Sequence, residues 1–155
     1  MTNVLRIEEQ GKVMNITLNR PESINAIHAE MMSELHETFK ALQDREDIQI
    51  VVLRGEGKGF SSGGDIKEML SNEKMSDMEG LMQTVSAIGK ELYRLPQITI
   101  SFIHGAAAGL GLSIALATDL IVAEKTSKIA MNFIGIGLVP DGGGHFFMKE
   151  RVGTV

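Results

Sequence analysis

Cysteine and tryptophan are absent from this chain. Without cysteine there is no disulfide, no thiolate nucleophile and no thiolate-bound zinc. Aromatic residues make up only 5% of the sequence, which excludes a base-stacking platform for single-stranded nucleic acid. Cationic excess is missing too. Against 15 Lys and Arg stand 20 Asp and Glu, and the formal net charge of -5 argues against a nucleic-acid backbone as partner. The N-terminus has no leader pattern, since Arg6, Glu8 and Glu9 precede any apolar run. A cytoplasmic location is expected.

One stretch lacks charge altogether. Leu95 to Thr118 contains no Asp, Glu, Lys or Arg, which on length alone would span a bilayer. Pro96, Gln97, His104 and Gly105 interrupt it, and Ile98–Ile103 is rich in β-branched residues. A strand, a tight turn and a buried helix account for this run, and no membrane span is expected.

What is present is an ordinary globular composition. The chain is 43% hydrophobic and 23% charged over 155 residues, the size of one domain. Its pattern alternates between strands and helices. Val4–Glu8 and Val13–Leu18 read as strands across the Gln10-Gly11 turn. Ile27, Met31, Leu35, Phe39 and Leu42 form one helical stripe, with Asn25 as its expected N-cap. Ile48–Leu53 is an apolar strand of the kind buried on both faces. Asp65, with Glu68 three residues on, resembles a capping box. Ser71–Met78 is polar and is expected to be exposed and mobile. Leu81, Met82, Val85, Ile88, Leu92 and Leu95 form a second stripe, closed by Pro96. After the strand at Ile98–Ile103, a helix is expected near Gly109–Ala117. Short strands are expected near Leu120–Ala123 and Lys128–Met131, then a turn at Asp141–Gly144 and a final helix. The class is α/β.

Two junctions carry the chemistry of interest. In each, a buried strand runs through a small-residue loop into a helix: Ser61-Ser62-Gly63-Gly64-Asp65 and Gly105-Ala106-Ala107-Ala108-Gly109-Leu110-Gly111. Helix N-termini offer unpaired backbone N–H groups, and two of them converging would make an oxyanion hole. The same glycines would also serve tight turns or close packing, and both readings stand. The second loop does not match G-x-G-x-x-G, and no phosphate-binding G-x-x-x-x-G-K-[ST] is present. Gly59-Phe60-Ser61-Ser62-Gly63 does match the G-x-S-x-G of serine hydrolases, and Asp119 and His145 follow in order. That elbow needs its strand directly before the serine, whereas Arg54–Gly59 intervenes. His28 and His36 lie about 12 Å apart along a helix, too far to share a metal. His104 reads as a turn histidine. Asp141, between Pro140 and three glycines in an apolar stretch, is either a turn or N-cap residue or a carboxylate made more basic by burial.

Together these residues resemble the crotonase superfamily, also called the enoyl-CoA hydratase/isomerase family. Asn19-Arg20-Pro21 with Asn25-Ala26 is similar to its N-terminal signature. Phe60-Ser61-Ser62-Gly63-Gly64-Asp65-Ile66-Lys67-Glu68-Met69 resembles its first oxyanion segment, and His104–Gly111 its second. Asp119, Gly137 and Pro140 also fall in the family pattern. The resemblance implies a ClpP/crotonase-like spiral of β-β-α turns with two nearly perpendicular sheets, as one core domain over residues 1–155. It implies a homotrimer or hexamer, an acyl-CoA thioester as ligand, and no metal or cofactor beyond the coenzyme A of the substrate. The backbone N–H groups of Gly64 and Leu110 would hold the thioester oxygen. Ala26, Ser62, Gly63, Asp65, Ile66 and Gly109 would line the CoA arm, with Lys67 near its phosphates.

The departures from that pattern point to the reaction. The two glutamates of hydratases would fall at Ser113 and Phe133, and neither is a carboxylate. Asp141 matches the base of family members that isomerise double bonds. Isomerisation of an enoyl-CoA is therefore the leading expectation. Hydration, a non-catalytic CoA-binding remnant and a serine hydrolase are its alternatives. Family members continue well beyond Val155 into helices that close the acyl pocket and build the trimer, so the chain reads as the front part of such a domain.

Overall fold

The computed structural model describes residues 3–69 and 78–154. Of the segment Ser71–Met78, expected to be exposed and mobile, all but Met78 lies outside the described residues, and Met78 opens a helix. Strand β1 (Leu5–Gln10) turns at Gly11 and pairs antiparallel with β2 (Val13–Leu18), Leu5 opposite Leu18. Three parallel strands follow in the same sheet: β3 (Ile50–Gly55), β4 (Ile98–Ile103) and β6 (Leu120–Ala123). The parallel crossovers run through helices, because parallel strands cannot be joined by tight hairpins. Helix α1 (Ala29–Leu42) buries Met31, Met32, Leu35, Phe39 and Leu42, and α3 (Met78–Tyr93) packs beside it through Val85, Ile88 and Leu92. These side chains meet Ile16, Leu18, Val51 and Leu53 of the sheet in one core. Between the two helices stands a four-residue turn of helix, α2 (Ile66–Met69).

A second, smaller sheet positions the site. Strand β5 (Ala106–Ala108) runs parallel to β7 (Lys128–Ala130), and single bridges extend the pairing from Ala107 to Ser61 and from Gly64 to Ile27. Helices α4 (Gly109–Leu116) and α5 (Gly144–Val152) follow β5 and β7. The units β1-β2-α1, β4-β5-α4 and β6-β7-α5 thus repeat one strand–strand–helix turn, as expected. Helix α4 is the buried helix read from the uncharged run: Leu110 to Leu116 are all buried. No helix among the described residues is long and apolar enough to cross a membrane.

Local chemistry departs from expectation at two helix starts. His28, not Asn25, caps α1, its Nδ1 accepting from the Met31 N–H. Asn25 is fully buried with φ +53, and its side chain is turned to other backbone groups, described below. The Asp65 carboxylate does accept from the Glu68 N–H at 3.3 Å. The reciprocal half of the box is replaced, for the Glu68 carboxylate reaches across to the Ala29 N–H and completes the start of α1.

Asp119 pins the turn after α4 to β4. Its Oδ2 accepts from the N–H and the hydroxyl of Thr99, both at 2.8 Å, while its own N–H donates to Thr99 Oγ1. Arg151 of α5 caps the same turn by donating to the Leu116, Thr118 and Asp119 carbonyls. Hydrogen bonds to a charged group contribute about 1.5–3 kcal/mol when buried, and because Asp119 is itself exposed its contribution is smaller. Asp119→Ala is therefore expected to cost about 1–2 kcal/mol, read as a lower urea midpoint. Asp119→Asn, which keeps an acceptor oxygen, is expected to cost clearly less.

Candidate functional site

The two small-residue loops meet. Ser61 N–H donates to the Ala106 carbonyl and Ala108 N–H to the Ser61 carbonyl, each at 3.0 Å, so the first loop is a strand partner of β5. One step past this contact the chain turns sharply on both sides: Gly63 has φ +101 and Gly109 φ +48, values that L side chains rarely adopt. A Cβ on Gly63 would sit 3.0 Å from the Ala108 carbonyl oxygen. Gly63 therefore serves both a backbone turn and a close approach, and Gly109 serves the turn. The next N–H on each side, of Gly64 and of Leu110, has no partner among the described residues. Leu110 lies in the first turn of α4, where the helix dipole adds partial positive charge.

These groups open into a cleft of about 150 Å³. Of the residues expected to bind substrate, Ser62, Gly63, Gly64, Ile66, Gly109, Leu110 and Asp141 all line it. Phe133 lines it as well, with its ring 3.8 Å from where a Gly109 Cβ would be. Ser113 does not. It is fully buried beneath the 141–144 turn, its hydroxyl bonded back to the Gly109 carbonyl, and a Cβ on Gly142 would lie 3.4 Å from its own. Ala26, Asp65 and Lys67 stand outside the cleft wall. Ala26 is buried, with its carbonyl held by Arg20 Nη1 at 2.6 Å. Asp65 pairs with the same guanidinium at 3.1 Å. Burial would raise the Asp65 pKa, but Arg20 and the Glu68 N–H outweigh it and hold the carboxyl below its ordinary value. Lys67 is exposed on α2.

Asp141 neither caps α5 nor closes its turn with its side chain. Gly143 occupies the cap position without a side-chain bond, and the turn is closed by the Asp141 carbonyl, which accepts from the Gly144 N–H at 2.8 Å. The Asp141 carboxylate is left facing the cleft, and its Oδ1 is buried with no hydrogen-bond partner among the described residues. Burial pushes its pKa up to about 6, and its own backbone N–H offsets this only in part. It is the only titratable group among the described residues lining the cleft.

The serine-hydrolase alternative is overturned by the same geometry. Ser61 is fully buried, its hydroxyl donates to the Asn25 carbonyl at 2.8 Å, and Asp119 is committed to Thr99. The Ser61 hydroxyl at the centre of the motif is not free to attack a substrate. Sequence reasoning missed Met69, Asn132, Ile136 and Leu138, which complete the wall. A signal was available for the last two, as apolar residues crowded between Phe133 and Pro140 with no stripe periodicity. No group of three or more His, Asp or Glu among the described residues comes together to hold a metal ion.

Comparison with known proteins bears on this arrangement. Residues 8–155 match the family model for enoyl-CoA hydratase/isomerase. The Bacillus subtilis protein YhaR, which carries the enoyl-CoA hydratase/isomerase name, is 52% identical over 143 residues, 92% of this chain and 56% of its own length. The 1,2-epoxyphenylacetyl-CoA isomerase of Escherichia coli is 32% identical over 99% of this chain and 59% of its own. Among solved structures, an enoyl-CoA hydratase from Mycobacterium avium subsp. paratuberculosis superposes with a TM-score of 0.89 at 27% identity, covering 99% of this chain and 60% of that one. The fold is thus crotonase-like, as the resemblance implied. The chain spans a little over half the length of these relatives.

The Asp141 charge has a thermodynamic signature. Its folded pKa lies above the unfolded value of 3.8, so its contribution is complete below about pH 4 and is lost as pH rises through about 6. Asp141→Asn is expected to stabilise the protein at pH 8 by about 1–2 kcal/mol, a figure discounted for the solvent that reaches the cleft. It is expected to change little below pH 4. Equal melting shifts at both pH values would remove the case for a desolvated carboxylate.

Proposed function

Because this chain belongs to the enoyl-CoA hydratase/isomerase family, we propose that it binds an acyl-CoA thioester and shifts a carbon–carbon double bond within the acyl chain. The observation that carries this reading is a carboxylate with a buried oxygen, Asp141, sharing a cleft with two backbone N–H groups that have no partner among the described residues. The thioester oxygen sits on the Gly64 and Leu110 N–H groups, which draws charge from the carbonyl and acidifies the neighbouring C–H. Asp141 takes a proton from C2 of a 3-enoyl-CoA, and the electron pair delocalises into a dienolate. The resulting carboxylic acid returns the proton at C4, leaving a 2-enoyl-CoA and the original carboxylate. No water enters, so one acid–base group suffices. A pKa of about 6 leaves that group ionised at neutral pH yet more basic than an ordinary aspartate.

Hydration requires a group to activate water and another to protonate carbon. The hydratase positions hold the buried hydroxyl of Ser113 and the ring of Phe133, and neither does that work. Ser62, Ile66 and Gly63 border the arm of coenzyme A in this reading, with Ala26 and Asp65 behind them and Lys67 outermost. The protein is proposed to act in the cytoplasm as a homotrimer or hexamer. Ile134 and Val139, 85% and 80% exposed beside the cleft, are the apolar surface that such association would cover. The second reading is a non-catalytic CoA-binding role, in which the same cleft holds the thioester without turnover.

An isomerase assay with 3-enoyl-CoA separates these readings. Wild type is expected to turn over, with kcat/KM falling as pH drops through about 6. Asp141→Asn is expected to lose about 10²–10⁴-fold. Equal rates in the two proteins would defeat the assignment of the base. Thioester binding with no turnover in either would favour the non-catalytic role, and rapid hydration of a 2-enoyl-CoA would reverse the argument from Ser113 and Phe133.

A further inference from the structure

Ser61 joins the two halves of the site. It is fully buried, and every polar atom it carries is used. Its backbone N–H and carbonyl bond to Ala106 and Ala108, the strand that leads into Leu110. Its hydroxyl donates to the Asn25 carbonyl at 2.8 Å and accepts from the Gly63 N–H at 3.1 Å, one peptide before the Gly64 donor. On its far side α4 presses close, for a Cβ on Gly111 would lie 2.5 Å from both the Ser61 Cβ and Oγ. Only a glycine admits the helix this near. One residue thus touches the peptide preceding the first N–H donor, the strand preceding the second, and the helix that carries the second.

We propose that Ser61 is a positioning residue, whose hydroxyl sets the spacing and aim of the Gly64 and Leu110 N–H groups. The inference rests on the oxyanion reading given above. Its physical basis is geometric. Gly63 has φ +101 and no side chain of its own to hold it, so the Ser61 hydroxyl is the side-chain contact that fixes the direction of its N–H. Without it, the peptide between Gly63 and Gly64 can rotate, and the Gly64 N–H loses its aim before any fold element is disturbed. An oxyanion hole works only when its donors are held before the charge develops, and losing one donor typically costs about 10²–10³-fold in kcat. Displacing one, rather than removing it, is expected to cost somewhat less.

The test uses the full chain and a chromophoric thioester, 2,4-hexadienoyl-CoA, whose absorbance moves to the red when its carbonyl is polarised. Wild type is expected to bind it with a red shift. Ser61→Ala is expected to bind within about threefold of wild-type Kd while losing most of the shift. Its kcat for 3-enoyl-CoA is expected to fall at least tenfold with KM little changed. Ser61→Cys, which keeps a weaker donor and acceptor, is expected to fall between the two and carries the test should Ser61→Ala not fold. An unchanged red shift and kcat in the variants would overturn the inference, as would a loss confined to KM and Kd. Absence of any red shift in wild type would instead sink the oxyanion reading, and this inference with it.

Discussion

The loop between β3 and the site leaves three carbonyls, of Glu56, Gly59 and Phe60, beyond the reach of any strand. The two hydrogens of the Asn25 amide nitrogen are shared among them, at 2.9, 2.9 and 3.2 Å, and its Oδ1 accepts from the Arg20 N–H. A buried carbonyl without a donor costs about 1–3 kcal/mol, so this one side chain decides whether the loop can be folded inward at all. Asn25 adopts φ +53, a conformation that asparagine tolerates better than most residues. Once the loop is satisfied, Ser61 can lie against β5, and the two N–H donors follow from that contact. The cleft is a consequence of how backbone polarity was satisfied one layer below it.

The electrostatics of the cleft run the other way. The scaffold carboxylates around the cleft are paired: Asp65 with Arg20, Asp119 with Thr99, Glu68 with the start of α1. Asp141 carries a buried oxygen with no partner among the described residues, and its elevated pKa is the thermodynamic mark of that solitude. Beside those paired carboxylates, the unmatched one at Asp141 comes at a cost to stability. Such a cost fits a group whose partner is a reacting proton. The glycines around it serve the same end. Gly142 and Gly144 let the turn settle directly on Ser113, so that the carboxylate is pressed into the cleft rather than held out in water.

Much of this was legible in the chain. The apolar stripes of α1 and α3, the strand at Ile98–Ile103 and the buried helix after it follow from spacing, because helices and strands expose their periods directly. Both small-residue junctions were visible, and so was the oddity of Asp141. Capping was less legible. Asn25 has the composition of an N-cap, yet the cap is His28, because the buried carbonyls of a distant loop compete for the asparagine. The G-x-S-x-G match, already at odds with the intervening Arg54–Gly59 segment, fails for a second reason. A local motif says nothing about whether its hydroxyl faces solvent, and Ser61 faces the core.

What the sequence determined by itself was a set of local preferences: which residues must be buried, where the chain can turn with positive φ, and which carboxylate sits among apolar neighbours. Those depend on chemistry within a few residues of each other. Only the tertiary structure decided that Ser61 and Ala107 are strand partners, that the Gly64 and Leu110 N–H groups stay unpaired among the described residues, and that Asp141 opens onto the same cleft. These groups lie tens of residues apart in the chain. Their meeting depends on the register of parallel pairing, which forms only when the whole sheet closes over its core.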